Sequence, residues 1–360
     1  MNSVKENITG LFLCATVFAA ANVASAVISA VFITDQKSPI PSVMFAVLIG
    51  ILIKNTLKPN QHFHAGINFS LKYLLRLGII LLGFRIGLGE MFVYSALAVP
   101  LVAACILTVL IVIKFVNQRL NVSSKMSYLI AIGTSICGAS AIIAFAPVIN
   151  AKKGEITYAI ANIVLFGLIG MFLYPSLAET LFEGNQKAIG LFLGTAIHDT
   201  AQVAASGLIY EQQFSGSNAL EVATVTKLVR NTFLLLLIPT FAYAYMRDNQ
   251  QDTYSIKQIF PLFVIGFIFM VACRTAGDEF ISSGLSPISE FQWHYLIYLI
   301  EVSSGICLGF AMASLGLSTD LKELRSVGYQ PFLVGLLAAG AIGFTSLMTI
   351  TLYLNLQYLS

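Results

Sequence analysis

The chain has 360 residues, 57% of them hydrophobic and 10% charged, with a mean hydropathy of +0.84 and a formal net charge of +3. Soluble domains carry about 25% charged residues and disordered chains combine low hydropathy with high net charge, so both classes are excluded. Charged residues are absent over 7–34, 91–113, 126–151, 156–178 and 326–360, and each gap is long enough for the roughly 20 residues that cross a bilayer core. The chain reads as an all-α polytopic membrane protein, a single transmembrane domain over residues 1–360.

In chain order, apolar length and flanking charge predict about eleven spans, near 8–32, 40–57, 68–88, 92–117, 125–150, 155–178, 187–210, 218–245, 256–275, 291–316 and 331–356. The first imitates a secretory leader, because Lys5 precedes an apolar stretch that reaches Val23-Ala24-Ser25-Ala26. Its uncharged run continues to Thr34, beyond the usual signal core of about 7–15 residues, so the segment is read as a transmembrane helix. Connections are short. Pro41, Pro239, Pro261, Pro287 and Pro331 fall near predicted ends or breaks. Trp293, Tyr295 and Tyr298 open the tenth span, where an interfacial aromatic belt is expected.

Counting Lys and Arg in alternate loops puts thirteen on one side and five on the other, with Lys227 and Arg230 left out as lying inside a span. The positive-inside rule then places the N-terminus in the cytoplasm and the C-terminus outside. The small net charge and the lack of a basic run exclude nucleic acid as a partner. The five cysteines (14, 105, 137, 273 and 307) form neither a disulfide framework nor a CxxC metal pair.

An internal repeat carries more information than any single residue. Gly133-Thr134-Ser135-Ile136-Cys137-Gly138-Ala139-Ser140-Ala141 aligns without gaps on Gly194-Thr195-Ala196-Ile197-His198-Asp199-Thr200-Ala201-Gln202. A Glu (155 or 221), an apolar helix and a Pro (175 or 239) follow each copy. A weaker echo links Leu82-Gly83-Phe84-Arg85-Ile86-Gly87-Leu88 with Leu308-Gly309-Phe310-Ala311 and the following Leu315-Gly316-Leu317. Repeated hydrophobic halves mark secondary transporters, with sites at the repeat interface.

The repeat also holds the residues suited to binding. A Gly-Thr-Ser run inside an apolar span weakens a helix, since Gly costs about 1 kcal/mol relative to Ala. Irregular backbone at membrane depth is tolerated only where protein or a water-filled cavity satisfies it. A break frees helix N-terminal amides, whose positive dipole end suits an anion. The hydroxyls of Thr134, Ser135, Ser140, Thr195 and Thr200 stand beside it, and Cys137 and Gln202 complete the two segments. Close packing through small residues explains one such segment without any ligand. Two matching segments, one carrying His198-Asp199, point to a binding site.

An ionised Asp199 at that depth costs about 2.5–3.5 kcal/mol and therefore needs a role, while His198 is chemically suited to titrate near neutrality. Lys227 and Arg230, at i and i+3, share a helix face with Thr224 and Asn231. They read equally as an anion site and as charge balance for Asp199 and Glu221. Structural pairing is the expectation for Arg85, Glu90, Arg274 and Glu301, with Glu301 deep enough to be a second titrating carboxylate.

Enzyme signatures fail. Gly138-Ala139-Ser140-Ala141 lacks the closing Gly of a nucleophile elbow, since position 142 is Ile. His62-Phe63-His64 falls short of a zinc set. Gly83-Phe84-Arg85-Ile86-Gly87 lacks the βαβ context of a phosphate loop. No enzyme activity, catalytic residue, cofactor or metal is expected.

Leu81-Leu82-Gly83-Phe84-Arg85, the segment 133–141 and Ile197-His198-Asp199-Thr200-Ala201-Gln202-Val203-Ala204-Ala205 resemble the family of bacterial membrane proteins labelled sulfate exporters. That family's third motif commonly reads His-Glu-Thr-Ala-Gln, so Asp199 stands here for Glu, one methylene shorter. Lys227-Leu228-Val229-Arg230 matches its Lys-x-x-Arg run, and Ala311-Met312-Ala313-Ser314-Leu315-Gly316-Leu317 is similar to its last motif. The resemblance covers the chain from about residue 40 onward.

It implies a place in the wider group of cation/proton antiporters and bile-acid symporters. That group has inverted repeats, broken crossing helices and elevator motion, and its members are often homodimers. The implied function is secondary active transport of a small anion, sulfate or a related sulfonate or oxyanion, across the bacterial inner membrane. The two GT segments, Lys227 and Arg230 would hold the anion, and Asp199 with His198 the coupling proton. The alternative is a cation/proton antiporter with Asp199 as the cation site and Lys227 as its counter-ion. One conflict stands: as plain spans two apart, the first repeat pair would be parallel rather than inverted. Either a copy is re-entrant or the span count is wrong.

Overall fold

A computed structural model describes residues 2–32, 40–117, 119–120, 122–214, 216, 218–237, 239–240, 262–283, 289–325 and 328–359. Lys37, Arg247, Lys257, Pro261 and Pro287, and the adjoining parts of the predicted spans 218–245 and 256–275, lie outside the described residues. Every regular element among the described residues is helical. In chain order the helices are α1 (Asn2–Phe32), α2 (Ser42–Thr56), α3 (Gln61–Phe69), α4 (Leu75–Leu82), α5 (Leu88–Asn117), α6 (Ser124–Ser135), α7 (Ala139–Phe145) and α8 (Lys153–Phe182). They continue with α9 (Gln186–Ala196), α10 (Thr200–Phe214), α11 (Ala219–Thr232), α12 (Phe263–Ser282), α13 (Glu290–Ser318), α14 (Leu321–Arg325) and α15 (Tyr329–Leu359). A π-helical turn at Ser70–Leu74 joins α3 to α4, so Gln61–Arg85 forms one continuous segment.

Among the described residues, six segments are long and apolar enough to cross a membrane: Asn7–Val31, Gln61–Arg85, Leu88–Asn117, Lys153–Phe182, Glu290–Ser318 and Tyr329–Leu356. Ser42–Thr56 is a shorter apolar helix. Large apolar side chains such as Phe12, Leu107, Phe115, Phe344 and Leu352 point outward on these helices, as lipid-facing surfaces require. The chain is a multi-pass membrane protein.

It divides into two compact units. The first comprises Met1–Val93, Ala204–Glu221 and Leu262–Leu321; the second comprises Tyr94–Val203, Val222–Pro261 and Lys322–Ser360. Within the first, α2 and α13 touch backbone to backbone. A methyl group added at Gly50 would lie 2.8 Å from Ala313 O and 2.8 Å from Leu317 N, so only glycine permits this approach. Asn55 then bridges to the end of α13, donating from Nδ2 to Thr319 O at 3.0 Å. The expected aromatic belt is only partly there. Tyr295 and Tyr298 are exposed, but Trp293 is buried, with its Nε1 donating to Asp278 Oδ1 at 2.8 Å and its ring tilted on Phe84.

The second unit overturns one predicted span. Residues 125–150 do not cross; they form a hairpin of α6 and α7. Lys125, at the start of α6, donates to Asn150 O beyond α7 at 2.9 Å. Ser123, just before α6, bonds Glu155 at the start of α8. Deeper in, a methyl added at Gly133 of α6 would lie 2.8 Å from Ile142 Cδ1 of α7. The turn is made by Ile136 (φ −122°, ψ −96°) and Gly138 (φ 68°, ψ −131°), a backbone conformation open only to glycine. Apolar length had the same value for one crossing and for two half-crossings, which is why the sequence reading merged them.

The segment 187–210 is interrupted as well, between Ala196 of α9 and Thr200 of α10. Helix α11 shows the direction of each arm. Gly194 of α9 abuts Ala223 and Thr226, and Gly207 of α10 abuts Leu220. The residues between the arms lie farther along, at Lys227 and Asn231. The chain therefore rises along α11 to residues 197–200 and returns, a second hairpin.

Candidate functional site

Within the second unit the two hairpin tips touch. A methyl added at Gly138 would lie 3.0 Å from Asp199 Oδ2 and 3.3 Å from Asp199 Cα. Four half-helix ends meet there: the C-terminal ends of α6 and α9, rich in unpaired carbonyls, and the N-terminal ends of α7 and α10, rich in unpaired amides. The sequence supplies the two carbonyl ends and the amide end of α10 with partners of opposite polarity.

Lys227 and Arg230 of α11 take the carbonyl ends. The Lys227 ammonium donates to Ile136 O at 2.9 Å, to Ile197 O at 3.1 Å and to His198 O. That uses every Lys donor. Arg230 donates from Nε to Ser135 O at 2.7 Å, and from Nη1 to Thr195 O at 2.7 Å and Ile197 O at 2.9 Å. Both side chains are fully buried. Each cation thus faces the negative dipole end of a half-helix and ties the first hairpin to the second. Neither residue balances Glu221, which pairs instead with Arg85 in the first unit at 2.6 Å.

Asp199 serves the other polarity. Its Oδ1 accepts from Ala201 N at 2.8 Å, and its own amide donates to Gln202 Oε1 at 3.3 Å. Asp199 is thus the N-cap of α10, bonding the N2 amide while the N3 side chain, Gln202, reaches back to the Asp199 amide. The spacing Asp199-x-x-Gln202 carries that signal in the sequence and locates the break; it went unread there. Gln202 also donates from Nε2 to Val164 O of α8 at 3.3 Å. Helix α7 has no side-chain cap.

The remaining predicted residues divide by depth. Thr195 is spent on structure, with its hydroxyl 2.7 Å from Leu191 O and 2.6 Å from Ser346 Oγ of α15. Thr134, Ser135, Cys137 and His198 are buried at the tips. Thr134 Oγ1, Ser135 Oγ, His198 Nδ1 and Arg230 Nη2 have no hydrogen-bond partner among the described residues. Asp199 and Thr200 are partly accessible, and Ser140 is exposed. The first residues of α7 and α10 are therefore the accessible, open side of the tips, and the carbonyl ends of α6 and α9 are the buried side. Among the described residues no cluster of His, Cys, Asp and Glu suits a metal ion.

The model of the family described as conserved hypothetical protein 698 matches residues 9–335. A UPF0324 membrane protein of Fusobacterium nucleatum is 34% identical over 308 residues, covering 84% of this chain and 88% of its own length. One from Streptococcus mutans is 29% identical over 339 residues, 92% of each chain, and one from Streptococcus pneumoniae is 32% identical over 310 residues, 84% and 87%. No solved structure matches the chain. By these matches the chain belongs to the conserved hypothetical protein 698 family, the family of the UPF0324 membrane proteins.

Proposed function

We propose that the protein is a secondary active transporter of a small anion, sulfate or a related sulfonate or oxyanion, in the bacterial inner membrane, and that the paired hairpin tips hold the substrate. The observation that carries this reading is the polarity of the tips. Lys227 and Arg230 are locked on the carbonyl ends, so the amide ends of α7 and α10 are left on the open side with the Ser140 and Thr200 hydroxyls. Lys227 and Arg230 then act through their field, not as direct ligands, apart from the unpaired Nη2 of Arg230.

The charges give a coupling. Two cations and one carboxylate sum to +1, and the four half-helix dipoles cancel. A proton on Asp199 raises the sum to +2. Removing one unit charge about 6 Å from a monovalent anion, at an effective dielectric near 20, changes binding by about 3 kcal/mol, roughly 100-fold. Proton and anion would therefore bind together.

Topology supports the same reading. Two hairpins in place of two of the eleven predicted spans leave nine crossings, keep the N-terminus cytoplasmic and the C-terminus outside, and make the repeat inverted. Lys152 and Lys153 move to the basic side and Lys187 leaves it, so fourteen of the eighteen counted cations lie there, a stronger positive-inside bias than before. The whole site belongs to one compact unit, which is what an elevator-type carrier needs.

The second reading, cation/proton antiport, is favoured by Asp199, a partly accessible carboxylate whose Oδ2 lies at the tip beside Gly138. Uptake of radiolabelled sulfate into proteoliposomes under an imposed pH gradient separates the two. Wild type should accumulate sulfate, and Asp199→Asn should lose the dependence on the gradient. PH-driven sulfate uptake that survives Asp199→Asn removes the coupling role. Sodium movement without any anion uptake replaces the anion reading with the antiporter.

A further inference from the structure

The first unit holds a second charged cluster that the hairpin site does not use. Arg85, at the end of the segment Gln61–Arg85, sits among three carboxylates from three helices. Its Nε is 2.6 Å from Glu221 Oε1 at the start of α11 and 3.8 Å from Glu301 Oε1 of α13. Its Nη2 and Nη1 are 3.1 and 3.4 Å from the two oxygens of Glu211 of α10. One guanidinium supplies +1 and the N-terminus of α11 about +0.5, against −3 if all three acids ionise. Like charges gathered this closely do not all ionise.

The three acids are not equivalent. Glu301 is 43% exposed and lies farthest from the guanidinium, at 3.8 Å. Glu211 has both oxygens on Arg85. Glu221 is 3% exposed, and only Oε1 is engaged; Oε2 is buried with no hydrogen-bond partner among the described residues. An ionised Glu221 would leave half of its delocalised charge on a buried oxygen with no donor, a cost the ion pair at Oε1 does not remove. Arg85 also lines a cavity of about 500 Å³, together with Glu90, Arg274, Thr275 and Asp278. Arg274 is held by Asp278 at 2.8 Å, so it does not neutralise the cluster.

We infer that Glu221 carries a proton on Oε2 and that Arg85, Glu211, Glu221 and Glu301 form a second proton-binding site, beside the cavity that Arg85 lines. The inference goes beyond the anion reading of the hairpins and does not depend on it, because no residue is shared and the readout requires no transport.

Infrared difference spectroscopy of the purified protein across a pH titration tests it. The wild type should show a protonated-carboxyl band at neutral pH that is lost on alkalinisation. Glu221→Gln is isosteric with the protonated acid and should fold normally and abolish that band, while Asp199→Asn should leave it in place. Glu211→Gln removes a competing acid, and the band should then disappear at lower pH than in wild type. Absence of the band in wild type, or its persistence in Glu221→Gln, overturns the proposal. A band unmoved in Glu211→Gln overturns the shared site.

Discussion

Lys227→Met separates a structural cation from a ligand. Methionine keeps the length and apolar stem of lysine but removes all three donors. Ile197 O retains Arg230 Nη1 as a partner, so the loss falls on Ile136 O and His198 O. Hydrogen bonds from a charged donor are worth about 1.5–3 kcal/mol each, and the lost cation–dipole contacts at two helix ends add about 0.3–1 kcal/mol each. The gross loss is about 4–8 kcal/mol. Against this, methionine avoids the several kcal/mol needed to bury an ammonium, so the net expected loss is about 3 kcal/mol. That is a large part of a typical 5–15 kcal/mol and corresponds to a fall of about 4 °C in Tm for a chain of 360 residues. Thermal unfolding in detergent followed by circular dichroism measures it. An unchanged Tm together with abolished transport would refute the reasoning, because Lys227 would then be a ligand and not a tie between hairpins.

Two further outcomes follow from the same geometry. Gly138→Ala places a Cβ 3.0 Å from Asp199 Oδ2 at φ 68°; the backbone strain alone costs about 1–3 kcal/mol, so Tm should fall, whereas Gly154→Ala, with open space around it, should leave Tm unchanged. Single cysteines at Arg119 and Lys152 should react with an impermeant thiol reagent from the same side of the membrane, and one at Lys187 from the opposite side; labelling of 119 and 152 from opposite sides would eliminate the first hairpin.

The legibility of this chain in its sequence follows the range of each interaction. The long helices α1, α5, α8, α13 and α15 are announced by apolar length, which is local. The tips were found through a repeat, because Gly-Thr in both copies marks the same local weakness. What the repeat did not reveal was direction. Reversal at Gly138 depends on one dihedral and on Ile142 packing back on Gly133, and neither has a hydropathy signature. The partners of the buried charges were also hidden. Lys227 and Arg230 bind carbonyls, which every residue has, so no side chain in the sequence advertised the match. Arg85 and Glu221 stand 136 positions apart, and only the fold brings them to 2.6 Å.

The measurement closest to the central claim is protection of the open side of the hairpins. Ser140→Cys in proteoliposomes, with the parent protein as the baseline for its own cysteines, is exposed to an impermeant thiol reagent with and without sulfate, alkyl sulfonates, phosphate or sodium. The account predicts that one of the anions slows labelling at 140 and that sodium does not. Protection by sodium alone, or labelling indifferent to every anion, would contradict it.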